Sequence, residues 1–386
     1  MGIQYKLTTT IIEDLTMEFR PEQMAGPEQS EIRATHLPAE WARQSGVQLT
    51  WPHKETDWAP IQKEVTECYV HMALEISLRE RLIIVTPEPE TVERLLSERL
   101  PKRALENVSL CRIDTNDTWA RDHGFITLQT NMGHLLLDFQ FNGWGRKFPA
   151  ELDNQICRRM MEQGVLNGQY EDHLDFVLEG GSIESDGQGT ILTTSQCLLA
   201  PNRNQPLTKD EIEERLKRYL RAERILWLDH GYLAGDDTDS HIDTLARLCP
   251  GDTIAYVQCQ DEDDEHYEEL RRMEEQIQTF RTLDNRPYRL IPLPMAKAVY
   301  EEVENEGDGK MRGQRLPATY ANFLVINGAV LMPTYRDAER DELARRQLQL
   351  AFPRHEIVPI DCRILIEQHG SLHCCTMQFP QGAIKS

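Results

Sequence analysis

Four short segments of the chain concentrate side chains able to do chemistry. The first is Asp117-Thr118-Trp119-Ala120-Arg121-Asp122-His123-Gly124. If extended, it puts Trp119 and Arg121 on one face and Asp122 on the other; an Arg–Asp surface pair beside a core tryptophan is the structural alternative. The second, Glu179-Gly180-Gly181-Ser182, sets a carboxylate beside paired glycines that allow a ligand close to the backbone, although a turn with an exposed glutamate has the same pattern. The third runs from Gly235 through three aspartates to His241-Ile242-Asp243. In a strand, His241 and Asp243 share a face, roughly 7 Å apart. Such a pair serves as half a metal site, as a base with a substrate-binding carboxylate, or as a satisfied core histidine. No second histidine pair or cysteine pair completes a metal set, so metal ranks last. The fourth is Gly370-Ser371-Leu372-His373-Cys374-Cys375-Thr376. Neighbouring side chains of a strand point oppositely, so one of the two cysteines is expected to be a packed thiol.

Together these segments supply a thiol, a histidine and several carboxylates. A Cys/His pair points to nucleophilic catalysis, the thiolate attacking and the imidazole moving protons. The remaining carboxylates restrict the substrate. An acyl substrate needs hydrogen-bond donors for a developing oxyanion, and acids would oppose that charge. A guanidinium needs the reverse: it is cationic at every working pH and presents a planar fork of N–H donors that matches carboxylates two bonds at a time.

The composition agrees with a folded protein. The 386 residues are 40% hydrophobic and 27% charged, outside the ranges of disordered, collagenous or coiled-coil chains. Asp and Glu outnumber Lys and Arg 64 to 42, for a formal charge of -22. That field repels nucleic acid and anionic membranes and attracts small cations. Nine scattered cysteines without a C-x-x-C pair fit a reducing compartment and no disulfide framework. The N-terminal MGIQYKLTTTIIEDL lacks a signal-type apolar run, Lys6 stands where myristoylation wants Ser or Thr, and Phe323–Met332 is too short to span a bilayer. A cytoplasmic protein is the expectation.

The elements that must position the four segments alternate along the chain. Apolar runs predict strands at Leu82–Val85, Val108–Ile113, Leu135–Phe139, Ile191–Thr194, Ile225–Leu228, Ile254–Val257, Leu290–Pro292, Phe323–Val325 and Ile364–Glu367. Thr208 and Glu211 predict a capping box, with Ile212, Leu216, Tyr219 and Leu220 as the buried stripe of the helix that follows. A second helix follows the acidic run Asp261–Glu265, read as a solvated helix start, with Tyr267, Leu270, Met273, Ile277 and Phe280 at helical spacing. Arg20–Ser30 and Glu301–Gly313 are the loose segments. No low-complexity linker divides the chain and no clean repeat shows, so a closed α/β architecture in one domain, 1–386, is expected, with about 1–35 peripheral.

At this point the chain resembles the agmatine deiminase and bacterial-type peptidylarginine deiminase family of guanidino-group-modifying enzymes. The resemblance is carried by Leu37-Pro38-Ala39-Glu40-Trp41, Trp51-Pro52, Trp119–Gly124, Phe141-Asn142-Gly143-Trp144-Gly145, Leu178–Ile183, Pro201-Asn202-Arg203-Asn204, His241-Ile242-Asp243, Tyr320-Ala321-Asn322-Phe323 and Leu372-His373-Cys374. It implies the pentein fold, an α/β propeller of five pseudo-symmetric ββαβ units with the site at the centre. It implies Cys374 as nucleophile, His241 as general acid and base, Asp122 and Asp243 as the guanidinium holders, and Glu179 as the residue that orients or charges His241. Cys375 is then the packed thiol and His373 structural.

The implied reaction needs no metal or organic cofactor. Cys374 displaces ammonia from the guanidinium carbon through a covalent thiouronium, and His241-activated water releases a ureido product. For agmatine this gives N-carbamoylputrescine, a step of putrescine and polyamine metabolism. Deimination of free or peptidyl arginine, or amidino transfer to an amine on the same site, are the alternatives. The resemblance also implies homo-oligomers. Three departures fall on the tail-binding side: Gly124-Phe125 where the family has Gly-Pro, Gln368-His369-Gly370-Ser371 in place of a glycine-rich approach, and the segment Glu302–Thr319. Trp51 and Trp58 are candidate aromatic faces for a distal ammonium.

Overall fold

Short apolar runs in this chain are buried on both faces, which is the demand a parallel sheet makes. The run Arg81–Thr86 lies between Gln44–Thr50 and Val108–Arg112, parallel to both, and Thr376–Pro380 adds antiparallel to Gln44–Thr50. A computed structural model describes residues 35–304 and 310–385. The chain divides into two units, Met1–Arg33 and Ala34–Ser386; the first, and with it the loose segment Arg20–Ser30 and most of the expected peripheral 1–35, lies outside the described residues.

The same pairing order recurs five times. Each unit has an antiparallel pair followed by a parallel one: Thr376–Pro380 with Gln44–Thr50 and Arg81–Thr86; Ile126–Thr130 with Gly133–Gln140 and Gln169–Val177; Ile183–Ser185 with Thr190–Thr194 and Arg224–Leu228; Ala246–Cys249 with Thr253–Gln258 and Arg289–Pro294; Leu324–Ile326 with Ala329–Thr334 and Glu356–Asp361. Parallel neighbours need a crossover long enough to return the chain. Here each crossover carries a helix: Gln62–Ser77, Ile156–Glu162, Lys209–Leu220, Tyr267–Thr279 and Ala338–Ala351. These are the five ββαβ units of the pentein fold. The first unit takes its leading strand, Thr376–Pro380, from the far end of the chain, so that strand and Gln44–Thr50 share one sheet.

Local chemistry explains several boundaries. Thr208 Oγ1 accepts from the Glu211 backbone and Glu211 returns to the Thr208 N–H, and Ile212, Leu216, Tyr219 and Leu220 are the buried face, as the sequence predicts. Asn327-Gly328 forms the two-residue turn between Leu324–Ile326 and Ala329–Thr334, with Gly328 at φ +77°.

Four expectations are corrected. Ile364–Glu367 is not a strand; Leu365–Gln368 forms a helical turn, and the strand is the earlier Glu356–Asp361. Glu301–Gly313 is not loose at its two ends, because Val299–Glu304 pairs antiparallel with Lys310–Leu316; its middle, 305–309, lies outside the described residues. The acidic run is not wholly solvated: Asp264 pairs with Arg315 at 2.9 Å and with His266 at 2.7 Å. The segments singled out in the sequence are not extended. Trp119–Asp122, His241–Asp243 and Cys374-Cys375 lie on single helical turns, Ala120–His123, Ile242–Thr244 and His373–Cys375. Each turn stops where a leading strand starts, too short for either period to show in sequence.

Candidate active site

Every unit contributes to one place from the segment just before its leading strand. Asp122 precedes Ile126–Thr130, Glu179 precedes Ile183–Ser185, His241 and Asp243 precede Ala246–Cys249, Asn322 precedes Leu324–Ile326, and Cys374 precedes Thr376–Pro380. The paired glycines make the convergence possible. A Cβ on Gly181 would stand 2.6 Å from His241 Nδ1, 2.9 Å from Asp122 Oδ1 and 3.2 Å from Asp243 Oδ2. One backbone atom position therefore gauges three of the sequence-predicted residues at once.

Cys374 is buried, and its Sγ lies 3.3 Å from Asn322 Nδ2 and 4.0 Å from Asp243 Oδ2. Burial, then Asp243 and Asp122, pushes its thiol well above the usual range, because both a dry site and nearby carboxylates oppose a thiolate. Cys375 is fully buried, and its own thiol is pushed up by burial while Tyr69 beside it opposes the rise. His241 is fully buried, with Nδ1 3.6 Å from Asp122 Oδ1 and neither ring nitrogen in a hydrogen bond. Burial opposes its charge, yet Asp122, Cys197 and Glu179 prevail and hold the imidazole well above its ordinary value.

Asp122 is held at both carboxylate oxygens, whereas Asp243 and Glu179 are each held at one and open at the other. Asp122 Oδ2 accepts from Trp144 Nε1 at 3.0 Å and Oδ1 from the Gly181 N–H at 3.0 Å. Asp243 Oδ2 sits 2.7 Å from His373 Nδ1, whereas Oδ1 is buried without a partner. Glu179 Oε1 accepts from Arg203 Nε at 2.7 Å and Oε2 is buried without a partner. Buried polar atoms are almost always paired, so unpartnered atoms on His241, Asp243 and Glu179 together mark a place built to receive hydrogen-bonding groups.

Sequence reasoning gave no role to Asn322, Trp144, Arg203 or Cys197. Trp144 reaches Asp122 through a left-handed run, Gly143, Trp144, Gly145 and Arg146 all at positive φ. A tryptophan there is strained, and the glycines flanking it in Phe141–Gly145 were the available signal. Arg203 sits in Pro201–Asn204, whose polar residues had no apolar pattern to explain them. Cys197 shows no such signal.

Among the described residues, two groups could hold a metal ion by geometry. Glu179, Cys197 and His241 bring donor atoms within 4.8 Å of one another, as do Glu40, Glu184 and His373. In the second, the Arg247 guanidinium already joins all three, at 2.8 Å to Glu40, 2.5 Å to Glu184 and 3.0 Å to His373. In the first, Arg203 shares Glu179.

A cleft opens over Cys374. Its aromatic lining is Trp119, Trp144 and Phe148, and its acids are Asp57, Asp117, Asp122 and Asp237. No lysine or arginine among the described residues lines it. Burial pushes the Asp117 carboxyl up to about 6, against donation from the Trp58 and Trp119 indoles at 3.0 and 2.9 Å. Trp51 and Trp58, the aromatic faces considered for a distal ammonium, do not line this cleft, whose indoles are Trp119 and Trp144.

Known proteins share this fold. The provisionally named arginine deiminase of Porphyromonas gingivalis is 49% identical with a TM-score of 0.83, covering 91% of this chain and 100% of its own. The agmatine deiminase of C. jejuni with substrate bound is 37% identical, TM-score 0.80, covering 90% and 97%. The provisionally named agmatine deiminase of Marinomonas sp. (strain MWYL1) is 32% identical over 358 residues, 89% of this chain and 94% of that protein. Fold and relatives define a pentein hydrolase acting on C–N bonds in linear amidines. The chain belongs to the Porphyromonas-type peptidyl-arginine deiminase family, whose profile matches residues 36–380. Among the described residues no helix is long and apolar enough to cross a membrane.

Proposed function

We propose that this protein hydrolyses agmatine to N-carbamoylputrescine and ammonia, with the whole catalytic unit in Ala34–Ser386. The observation that carries the substrate is the cleft: acids and indole faces above Cys374, and no lysine or arginine among the described lining residues. A distal ammonium finds carboxylates and aromatic faces there, whereas the carboxylate of arginine would meet four acids with His369 alone to set against them.

The chemistry follows from the local charges. Asp122 and Asp243 accept the guanidinium N–H groups, Asp243 through its open Oδ1. The bound cation offsets the carboxylate field that disfavours the Cys374 thiolate, so the thiol loses its proton to solvent as substrate binds. Sulfur adds to the guanidinium carbon. His241, protonated by its acidic neighbours, gives its proton to the departing nitrogen, which leaves as ammonia. The product of this half is a thiouronium on Cys374. Neutral His241 then takes a proton from water, whose oxygen replaces sulfur at carbon and leaves the ureido group. Glu179, fixed by Arg203, keeps its open oxygen near His241 and favours its charged form.

The test is ammonia release over agmatine, free arginine and a peptide with C-terminal arginine. Turnover of agmatine well above the other two is expected. Turnover of arginine and not agmatine overturns the substrate assignment and leaves the site chemistry standing. Appearance of ureido product only when an amine acceptor excludes water would instead make it an amidinotransferase.

A further inference from the structure

The segment Leu37-Pro38-Ala39-Glu40-Trp41 has no part in the reaction described so far, yet Glu40 is buried and reaches the site from below. Its Oε2 lies 2.7 Å from His373 Nε2, and the other ring nitrogen of His373, Nδ1, lies 2.7 Å from Asp243 Oδ2. We propose that Glu40 is a positioning residue for substrate recognition, acting through His373 to hold Asp243 with one oxygen fixed and the other turned to the guanidinium.

Three features separate this role from simple charge balance. First, the imidazole meets a carboxylate oxygen at both nitrogens at hydrogen-bonding distance, so it cannot rotate without breaking one contact. Second, Glu40 is itself immobilised: Oε1 accepts from the Val325 N–H at 2.7 Å and Oε2 from Arg247 Nη2 at 2.8 Å. Arg247 is fixed in turn by Glu184 and by the Ala321 and Phe323 carbonyls. Third, the end of the chain of contacts is the unpartnered Oδ1 of Asp243. Burial opposes the charge on Glu40, but His373 and Arg247 hold its carboxyl well below the carboxylate range; Asp243 is likewise held low against burial, chiefly by its hydrogen bond to His373. Arg121 and Glu184 face the Glu40 side of the imidazole, and His241, Asp122 and Cys374 face the Asp243 side. A buried group that orients a ligand-binding side chain is worth about as much as the ligand contact it secures.

The inference rests on guanidinium binding at Asp243 and is tested apart from it. Wild-type protein is first assayed for ammonia release from agmatine, arginine and an arginyl peptide; failure with all three overturns guanidinium binding and this proposal with it. With the converted substrate, affinity is measured by calorimetry on Cys374→Ser and on Cys374→Ser/Glu40→Gln. About a tenfold or greater loss is expected, the worth of a charge-assisted hydrogen bond. In protein retaining Cys374, Glu40→Gln should lower labelling of that thiol by a cationic haloacetamidine severalfold relative to labelling by neutral iodoacetamide, whereas general disruption of the site would move the two labels in parallel. Affinity within twofold, or loss of affinity with an unchanged ratio of the two labels, overturns the proposal. If Glu40→Gln does not fold, Glu40→Asp, which keeps the charge and withdraws it by one methylene, decides by the same two measurements, with a smaller affinity loss expected.

Discussion

Asn322 Oδ1 accepts the backbone N–H groups of His373 and Cys374, at 2.9 and 3.3 Å, which turns its Nδ2 toward the Cys374 sulfur at 3.3 Å. The amide thus sets a donor against the Cys374 sulfur in a site where burial and two carboxylates oppose the thiolate. Replacing it with alanine should cut kcat/KM for deimination roughly ten- to a hundredfold, in line with loss of one hydrogen bond to a charged group. Asn322→Asp, which substitutes an acceptor and a like charge, should be worse. Steady-state ammonia release measures both; an alanine variant within threefold of wild type would detach Asn322 from the chemistry.

The turn His373–Cys375 gives the adjacent cysteines different surroundings, Cys374 on the cleft and Cys375 beside Tyr69 and Cys68. Cys374→Ser should abolish turnover, and protein quenched in turnover should carry a mass adduct on Cys374 alone. Cys375→Ser places a hydroxyl among Tyr69, Cys68 and Cys362 and should lower stability by about 1 kcal/mol, the cost of burying a more polar group offset in part by Tyr69, while turnover persists. Denaturant unfolding and the ammonia assay report the two effects separately. The opposite pattern would reassign the nucleophile.

How legible these relationships are in sequence depends on their length scale. The capping box at Thr208 and the stripe Ile212–Leu220 were readable because capping and burial repeat within one helix. The middle strands, such as Arg81–Thr86 and Thr190–Thr194, were readable because burial on both faces leaves a solid apolar run. Leading strands such as Ile183–Ser185 span only 3 residues and carry no period. The five units share a pairing order and not a residue pattern, so their repetition was invisible. Glu40 and His373 meet across 333 positions, beyond any local window. Asp122, Glu179, His241, Asp243 and Cys374 were singled out as residue types that packing did not explain, and the structure brings them to one place; their separate roles stand as proposals.

The close approach at Gly181 gives a sharp steric test. A methyl group there would press on His241, Asp122 and Asp243, three side chains that have no spare room in a buried site. Gly181→Ala should reduce kcat by about a hundredfold or more, since displacements near 1 Å in a catalytic constellation have that effect. Its stability cost should stay near 1–3 kcal/mol, as for other overpacked positions. Kinetics together with thermal unfolding distinguish this from collapse of the fold, which would lower both without limit.

The raised thiol of Cys374 sets a direction for its reactivity. A thiol ordinarily ionises near pH 8.5, and here ionisation is shifted upward by burial, Asp243 and Asp122. Only the thiolate is alkylated. Labelling by neutral iodoacetamide should therefore be slow at pH 7 and keep rising with pH beyond about 8.5. A haloacetamidine carries its own cation to the two carboxylates and should label Cys374 more than about tenfold faster at pH 7, the equivalent of about 1.4 kcal/mol. Peptide mass spectrometry over time measures both rates. Equal rates, with an inflection below 8.5, would mean that the carboxylates do not control the thiol.

Arg203 and Glu179 form an ion pair in which both side chains are almost wholly buried. Such a pair adds little over apolar packing, but removal of one member leaves a buried charge uncompensated, at about 3–5 kcal/mol. Arg203→Met should therefore destabilise the protein by that order, and Arg203 also holds Asp239 at 2.8 Å and the Thr238 carbonyl at 3.0 Å, which adds to the loss. The informative comparison is the double variant Arg203→Met/Glu179→Gln, which removes both charges and should recover part of the stability while remaining inactive. Urea unfolding of the two single variants and the double one closes the cycle. Recovery would show that Glu179 is kept charged at the expense of stability, as expected of a group retained for its field on His241; strict additivity would show instead that Arg203 acts through Asp239 and the Thr238 loop.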